Sequence, residues 1–208
     1  VLRSRSVLGG VDGVDASSRA PRWIFDARNG RMDLVVADGR AALVARNLGD
    51  GRFARPAPAP GLGDGAAPAV GGPQAGASPE GEAVITFADL NGDGVDDLVV
   101  TIEHIAQWHA STGDKFASPV VLDLDDGAGT VRDLGTTSVH LADLCGAGRA
   151  GLVRVSSGSV THWPSLGDGR FAGPVEVSSA DPFADEVEVR FADLTGSGTD
   201  DVLLVRDG

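Results

Sequence analysis

Short apolar runs alternate with turns rich in Gly and Asp along most of this chain. The clearest example is FADLNGDGVDDLVV, beginning at Phe87, in which two apolar runs flank a polar loop. Runs of this length between turns are typical of buried strands. No window shows a sustained helical period of apolar residues, so the pattern predicts an all-β chain with few helices.

The same frame recurs along the chain at similar distances. It returns as LADLCGAGRAGLVRV from Leu141, as FADLTGSGTDDVLLV from Phe191 and, in shorter form, as IFDARNGRMDLVVA from Ile24. In chain order, the first three corners (from Ile24, Phe87 and Leu141) are each followed by a second element. It reads ARNLGDGRF, WHASTGDKF and WPSLGDGRF, respectively. A repeat of about 50 residues that combines strands with Gly/Asp turns is typical of a β-propeller.

The repeat divides the chain into five segments. These are an N-terminal segment with the first unit (1–56), a Pro/Gly/Ala-rich insertion (57–82), a second unit (83–130), a third unit (131–180) and a partial fourth unit (181–208). The insertion offers little to pack and is predicted to be a flexible surface loop. About three and a half blades are present, whereas propellers close with about four to eight, so we expect further blades outside this segment. The N-terminus lacks an initiator Met and an apolar signal-peptide core, and we interpret it as an interior part of a longer protein.

The loop at 89–97 sets oxygen ligands at every second position between its two strands. They are the side chains of four polar residues and one backbone carbonyl, from Asp89, Asn91, Asp93, Val95 and Asp97. Ca²⁺ takes about six to eight oxygen ligands from flexible, charge-rich loops, and glycines allow the sharp turns that such loops need. The loop is therefore predicted to bind Ca²⁺. The alternative is an Asx-rich turn that bonds its own backbone.

The loop at 193–201 keeps the outer carboxylates of this pattern but replaces the inner ligands by hydroxyls. Its predicted ligands are Asp193, Thr195, Ser197, Thr199 and Asp201. Hydroxyls are neutral and bind Ca²⁺ less strongly than carboxylates, so this second site is expected to fill only at millimolar Ca²⁺.

The other two corner loops are predicted to hold no metal. Loop Asp143–Gly151 retains one carboxylate and carries Ala147 and Arg149. Loop Asp26–Asp33 is one residue short and carries Arg28 and Arg31, either of which could replace a cation by pairing with the carboxylates. Because ligands are lost without loss of the strands, the pattern favours a structural metal over a catalytic one.

No catalytic motif accompanies these loops. The sequence contains no HExxH, GxSxG or P-loop pattern. His104, His109, His140 and His162 lie in or next to predicted strands. For the Glu103–His104 pair we expect a surface or edge position rather than acid–base work. Trp108 and Trp163 occupy equivalent positions in the two second elements, which predicts packing between blades, with a sugar-stacking platform as the alternative. The chain is therefore predicted to be non-enzymatic.

Composition narrows the possible partners and compartment. The net charge of −13 and the lack of a basic patch disfavour nucleic-acid binding, and no run approaches the ~18 apolar residues of a membrane span. Cys145 is the single cysteine, so no disulfide can form within the chain. Calcium loops of modest charge favour a secreted, extracellular protein, because weak sites outside cells are still filled.

The corner FADLNGDGVDDLVV resembles the FG-GAP (VCBS-type) repeat of integrin α-subunit propellers and many secreted bacterial proteins. A longer stretch, from Val139 to Val205, is similar to the propeller region of the SpvB-type B component of Tc insecticidal toxin complexes. The matching positions are Leu152–Arg154, Gly158, Trp163–Pro164, Leu166–Gly167, Gly169–Phe171, Ala192–Asp193 and Gly196–Gly198. The chain departs from that family at Ala147, Arg149, Gly151 and the insertion.

This resemblance implies a function. In such toxins the propeller docks the toxin-carrying cocoon onto the channel formed by the A component and gates release. The implied partner is therefore a Tc-type channel component or another toxin subunit, and the ADP-ribosyltransferase domain of some SpvB-type proteins has no counterpart here. Two alternatives stay open, an extracellular adhesion or glycan-binding propeller and an accessory module of a secreted hydrolase.

Overall fold

The computed structural model describes residues 22–26, 30–37, 42–58, 84–102, 105–112, 116–122, 134, 138–156, 159–178 and 188–205. Every regular element in these ranges is a β-strand, as the sequence predicts, and none of the described residues forms a helix that could cross a membrane. In chain order the strands are β1 (Arg22–Asp26), β2 (Arg31–Ala37), β3 (Ala42–Ala45), β4 (Asn47–Gly49), β5 (Arg52–Phe53), β6 (Ala57–Pro58), β7 (Val84–Ala88), β8 (Asp97–Ile102), β9 (Ile105–His109), β10 (Val120–Val121), β11 (Val139–Ala142), β12 (Gly151–Ser156), β13 (Ser159–Trp163), β14 (Val175–Ser178), β15 (Glu188–Ala192) and β16 (Asp201–Val205).

The strands form successive antiparallel meanders. The strand order is β1-β2-β3-β6 in the first blade, β7-β8-β9-β10 in the second and β11-β12-β13-β14 in the third. The fourth blade is described as the pair β15-β16. Four-stranded meanders repeated in this way are the blades of a β-propeller, and the chain is an all-β propeller segment.

The second strand of each complete blade is buried on both of its faces. Leu98 and Val99 of β8 are 0% exposed, and so are Leu152 and Val153 of β12. Because neighbouring side chains of a strand point to opposite faces, Leu152 packs in the contact with the second blade and Val153 in the contact with the fourth. This explains why these strands read as continuous apolar runs rather than as alternating ones.

Two apolar clusters join the blades face to face. The cluster between the second and third blades contains Val99 and Trp108 from one sheet and Leu152 and Trp163 from the other. The cluster between the third and fourth blades contains Val153, Val155 and Val160, with Val189 and Phe191 packed against them. Adjacent residues of β12 therefore serve different blade contacts.

The first strands of three blades converge on one cavity. It has a volume of about 400 Å³ and is lined by Val84, Ile85, Thr86, Leu134, Val139, His140, Leu141, Val189, Arg190 and Phe191. These residues come from β7, β11 and β15, together with Leu134. Convergence of successive first strands is the radial arrangement of a propeller around its central channel.

The first blade contains an extra hairpin before its outer strand. Arg52–Phe53 pairs with Asn47–Gly49 in this small β4–β5 hairpin. The outer strand is Ala57–Pro58, which pairs with β3. These two residues are also the start of the predicted insertion, and the remainder of that insertion lies outside the described residues.

Candidate functional site

The loop at 89–97 is organised by the carboxylate of Asp89. Its two oxygens accept the backbone N–H groups of Gly92 at 2.6 Å and Gly94 at 2.7 Å. Asn91 Oδ1 accepts the N–H of Asp93 at 2.9 Å, and Asp93 accepts the amide two residues further on at the same distance. These Asx turns orient the loop's oxygen-bearing side chains.

Two glycines make this loop geometry possible. Gly92 and Gly94 have φ values of 84° and 79°, in the left-handed region that a side chain strongly disfavours. Gly92 is constrained a second time, because a Cβ there would lie 2.7 Å from Cγ of Arg149 in the third blade. Arg149, which we expected to keep metal out of its own loop, thus packs against the neighbouring loop.

Asp97, the ninth residue of the loop, faces the protein interior. Its side chain is fully buried, and Oδ2 accepts the N–H of Leu90 at 3.1 Å and the indole N–H of Trp108 at 2.9 Å. Oδ1 accepts the N–H of Ser111 at 2.7 Å. Burial raises the pKa of Asp97 to about 6, against the opposing effect of these hydrogen bonds. Asp97 therefore ties the corner loop to the end of the third strand.

The donor chemistry of this loop suits a hard cation, but its carboxylates already have protein partners. Asp89, Asn91 and Asp93 have side-chain lone pairs beyond those used by the backbone amides, and such oxygens are the ligands that Ca²⁺ prefers. In the part of the chain that is described, however, no group of three or more His, Cys, Asp or Glu residues is arranged to hold a metal ion. Calcium binding through Asp89, Asn91, Asp93, Val95 and Asp97 stays a prediction.

The loop at 193–201 repeats the same framework. Asp193 accepts the N–H groups of Ser197 at 3.0 Å and Gly198 at 2.9 Å, and the bond from Gly198 is the main reason that the pKa of Asp193 is lowered. Asp201 Oδ2 accepts the N–H of Leu194 at 3.1 Å, as Asp97 does from Leu90. The Thr199 and Ser197 hydroxyls lie 2.7 Å apart. Metal binding by this loop, including Thr195, also stays a prediction.

The third loop keeps the amide framework and loses the buried carboxylate. Asp143 accepts the N–H groups of Cys145, Ala147 and Gly148. At the ninth position stands Gly151, where a Cβ would lie 2.5 Å from the carbonyl oxygen of Trp163 and closer still to Nε2 of His162. A histidine ring therefore fills the space that the Asp97 carboxylate fills in the second blade.

The first blade has a shorter hairpin and a buried carboxylate of its own. Its strands pair as far as Asp26 and Arg31, so fewer residues remain for a loop. Asp33 is 1% exposed and accepts Nη1 of Arg46 at 2.9 Å and the N–H of Asn47 at 2.8 Å. An arginine does pair with this carboxylate, as we expected of Arg28 or Arg31, but it is Arg46. Arg28 lies outside the described residues.

Backbone hydrogen bonds join the corner loops of neighbouring blades. The carbonyl of Asp89 accepts the N–H of Ala150 at 2.7 Å, and the carbonyl of Asp143 accepts the N–H of Asp200 at 2.8 Å. In both cases the carbonyl oxygen of the first residue of one loop accepts the N–H of the eighth residue of the loop in the next blade. Asp200 Oδ2 also accepts the N–H of Asp143 at 2.8 Å. The loops therefore form a connected row.

The Gly/Asp turn of the third blade strengthens the same contact. Ser165 Oγ donates to the carbonyl of Leu90 at 2.7 Å, and Leu90 is only 1% exposed. A Cβ at Gly169, whose φ is 84°, would lie 3.1 Å from Val120 and 3.4 Å from Trp108. The turn that the sequence repeats in each unit thus packs against the preceding blade.

The two tryptophans are not equivalent, contrary to the sequence prediction. His109 lies opposite Leu98 of β8, and Trp163 lies opposite the corresponding leucine of β12, so Trp163 matches His109. By the same register Trp108 matches His162. Both tryptophans do pack between blades, from opposite sides of one contact, and they are only 7% and 3% exposed. Neither offers a face on which a sugar could stack.

Two of the four histidines are buried. His109 is 1% exposed and His162 is 3% exposed, and burial lowers the pKa of both rings. Nδ1 of His109 lies 3.1 Å from the carbonyl oxygen of Ala117. Nε2 of each ring has no hydrogen-bond partner among the described residues. His140 is partly buried, and His104 lies outside the described residues.

Comparison with known proteins agrees with this architecture. A family model of the FG-GAP-like repeat matches residues 28–100. No characterised protein sequence was found to match the chain. Among solved structures, an Agrocybe aegerita lectin that recognises non-reducing terminal N-acetylglucosamine is similar with a TM-score of 0.62 and 22% identity, over 88% of this chain and 45% of the lectin chain.

Two structures of TcdB2-TccC3 are also similar. The form without its hypervariable C-terminal region has a TM-score of 0.50 and 22% identity, and TcdB2-TccC3-TEV has a TM-score of 0.50 and 20% identity. Each match covers 83% of this chain but 7% of the much longer chain. At these identities the likeness shows the fold alone. Residues 28–100 therefore match the FG-GAP-like repeat, and the chain folds as a β-propeller segment that is similar to parts of a lectin and of TcdB2-TccC3.

Proposed function

We propose that this chain is a non-enzymatic docking module, a calcium-supported propeller segment of a secreted Tc-like toxin that binds a channel component or another toxin subunit. The observation that carries the proposal is the connected row of corner loops. Residues 92–94, 145–148 and 193–198 are all exposed, and the loops that bear them are bonded to one another through the backbone.

The topology supports a single presenting rim. In an antiparallel meander the connection between strands one and two lies at the same end as the connection between strands three and four. Ser165, in the latter kind of turn, accordingly bonds to a corner loop of the former kind. Leu166 and Leu194 are 48% and 66% exposed on this rim and are available to a partner. A preformed rim favours protein docking because little conformational freedom is lost on binding.

The use of the buried polar groups supports a binding role over catalysis. Asp33 and Asp97 accept structural hydrogen bonds from backbone amides and fixed side chains, and Ser165 joins two blades. A catalytic carboxylate or hydroxyl would instead be directed at a site where substrate can enter.

Calcium would act on the same rim. Asp89, Asn91 and Asp93, with the carbonyl of Val95 and the remaining lone pair of Asp97, are the groups that would hold it. Burial is the main reason that the pKa of Asp89 is raised, and the negative charge of Asp93 raises it further, so a bound ion would neutralise carboxylates that repel each other. The chain's own Asx turns keep the loop in shape.

Glycan binding is the second candidate, because the fold is shared with an N-acetylglucosamine-recognising lectin. The burial of Trp108 and Trp163 removes the stacking platforms first considered for it. A glycan would therefore have to bind through other residues of the rim.

Biolayer interferometry tests the proposal. The protein is immobilised and exposed to a purified A-type channel component of a Tc complex and, separately, to N-acetylglucosamine-terminated glycans. Leu194→Glu on the rim should weaken channel binding at least tenfold, about 1.4 kcal/mol. The matched control Val121→Glu changes an equally apolar residue that is 58% exposed on the outer strand β10, and it should bind normally. Equal binding by both variants, or binding of glycan alone, would contradict the docking role.

A further inference from the structure

His162 lies at the contact between the third and fourth blades. It follows Val160 by two residues on β13, so both side chains point to the face whose apolar cluster also contains Val189 and Phe191 of the fourth blade. The ring is almost fully buried there. Its Nε2 has no hydrogen-bond partner among the described residues.

The space around this nitrogen fits a neutral ring. Nε2 lies against Gly151. At the corresponding place in the second blade, the indole N–H of Trp108 donates to the carboxylate of Asp97. In the third blade the acceptor is missing because Gly151 has no side chain. A protonated imidazole would bring an N–H donor and a positive charge to a position where the described residues offer Nε2 neither an acceptor nor a counterion in contact.

The charged group that acts on His162 is Asp143. Its negative charge favours a proton on the ring, but its carboxylate oxygens already accept three backbone amides of the corner loop. From the fourth blade, Asp200 reaches the backbone N–H of Asp143 rather than the ring. The strands on either side place Val153 and Val175 opposite His162. Beyond Val153, His140 lies on the same face, and its ring centroid is 5.2 Å from that of Phe191. Burial outweighs Asp143, and the pKa of His162 lies below its ordinary value of 6.5.

We propose that His162 makes the contact between the third and fourth blades sensitive to acid. The neutral ring completes the apolar contact, and protonation loosens it and uncovers the apolar face of the third blade. This inference concerns the fold itself and does not depend on the identity of the docking partner.

The direction of the effect follows from the two states of the chain. In the unfolded chain His162 takes up its proton near pH 6.5, while the folded chain resists protonation. The contribution of the neutral ring to stability is therefore complete above pH 6.5 and is lost as the pH falls toward the folded pKa. Over that interval one proton changes the opening equilibrium by up to about tenfold per pH unit.

Hydrogen–deuterium exchange at about pH 7.5 and about pH 5.5, on either side of the ordinary histidine pKa, tests the inference. After correction for intrinsic exchange rates, peptides covering β12–β13 and β15–β16 should lose protection in acid. His162→Phe and His162→Gln, which cannot be protonated, should retain it. His140→Gln removes the second histidine of this face, whose ring centroid lies 5.2 Å from that of Phe191, and it should still lose protection in acid because His162 remains. The same acid response in His162→Phe would overturn the proposal.

A measurement on the unmodified protein keeps the test decisive if the variants fail to fold. The imidazole resonances are followed by NMR as a function of pH. A midpoint for His162 below 6.5 is expected. A midpoint at or above 6.5 would mean that the folded chain accommodates the charged ring, and the proposal would be wrong.

Discussion

Asp97 accepts a hydrogen bond from the indole N–H of Trp108 at 2.9 Å, and this buried contact joins the corner loop of the second blade to its third strand. The same carboxylate also accepts two backbone amides. A residue whose spacing predicts a calcium ligand is thus a structural acceptor whether or not calcium binds.

Replacing Asp97 by Ala should destabilise the protein even without metal. The change leaves the amides of Leu90 and Ser111 and the indole of Trp108 without their acceptor, and each buried unsatisfied donor costs about 1–3 kcal/mol. We expect a loss of at least ~3 kcal/mol in the free energy of unfolding, measured by urea denaturation in EDTA. Asp93→Ala, at an exposed position of the same loop, is the control and should cost less than about 1 kcal/mol. Equal costs for the two variants would show that Asp97 has no special structural role.

The repeat and the strands of this fold could be predicted from the sequence, because the period of the apolar runs fixes which segments are buried. The exact register could not. The turn from Ser111 to Phe116 is one residue shorter than that from Ser165 to Phe171. Alignment on the shared Trp and Phe hides this difference, and it made Trp108 and Trp163 look equivalent.

The sequence also could not predict whether a given side chain faces the solvent or the core. Alternating oxygens at 89–97 suit an ion in the loop, but spacing alone does not distinguish an outward carboxylate from one that faces the core, as Asp97 does. The buried position of His162 depends on Gly151, which lies across the sheet and not beside it in sequence. Such pairs become visible only when the strand register is known.

Gly151→Ala should be strongly destabilising, since the added methyl would meet the backbone carbonyl of Trp163 at 2.5 Å and the ring of His162. Overpacking of a core costs about 1–3 kcal/mol, and more where the backbone must move. The matched control is Gly173→Ala, whose Cβ would meet nothing within 4 Å and whose φ is not positive, and it should be close to neutral.

The double variant Gly151→Ala/His162→Ala separates the two clashes. Removing the ring relieves one contact and leaves the one with the Trp163 carbonyl. In urea denaturation, Gly151→Ala should therefore cost less free energy of unfolding in the His162→Ala background than in the wild type, but it should still be destabilising. A fully additive pair would mean that the two residues do not compete for the same space.

Ser165→Ala should weaken the contact between the second and third blades. Ser165 Oγ donates to the buried carbonyl of Leu90 and accepts the N–H of Gly167, so the variant leaves both groups without a side-chain partner. We expect a loss of about 1–3 kcal/mol in the free energy of unfolding. Ser197→Ala, an exposed serine of a corner loop, is the control. A negligible change in Ser165→Ala would contradict the role of this turn as a link between blades.

Calcium should raise the melting temperature of the wild-type protein relative to EDTA, because a ligand that binds only the folded state stabilises it by about 2.7 kcal/mol at a hundred times its dissociation constant. Asp93→Ala/Asp97→Ala removes two of the three carboxylates of the loop at 89–97. This variant should melt at a lower temperature than the wild type in EDTA, and adding Ca²⁺ should raise its melting temperature much less than it raises that of the wild type. Asp168→Ala, an exposed carboxylate that pairs with Arg170 outside the corner loops, should retain the full increase. Differential scanning calorimetry of the three proteins with and without millimolar Ca²⁺ gives the comparison. If the wild-type protein melts at the same temperature in EDTA and in Ca²⁺, the corner loops are held by their own Asx turns and the calcium prediction is wrong.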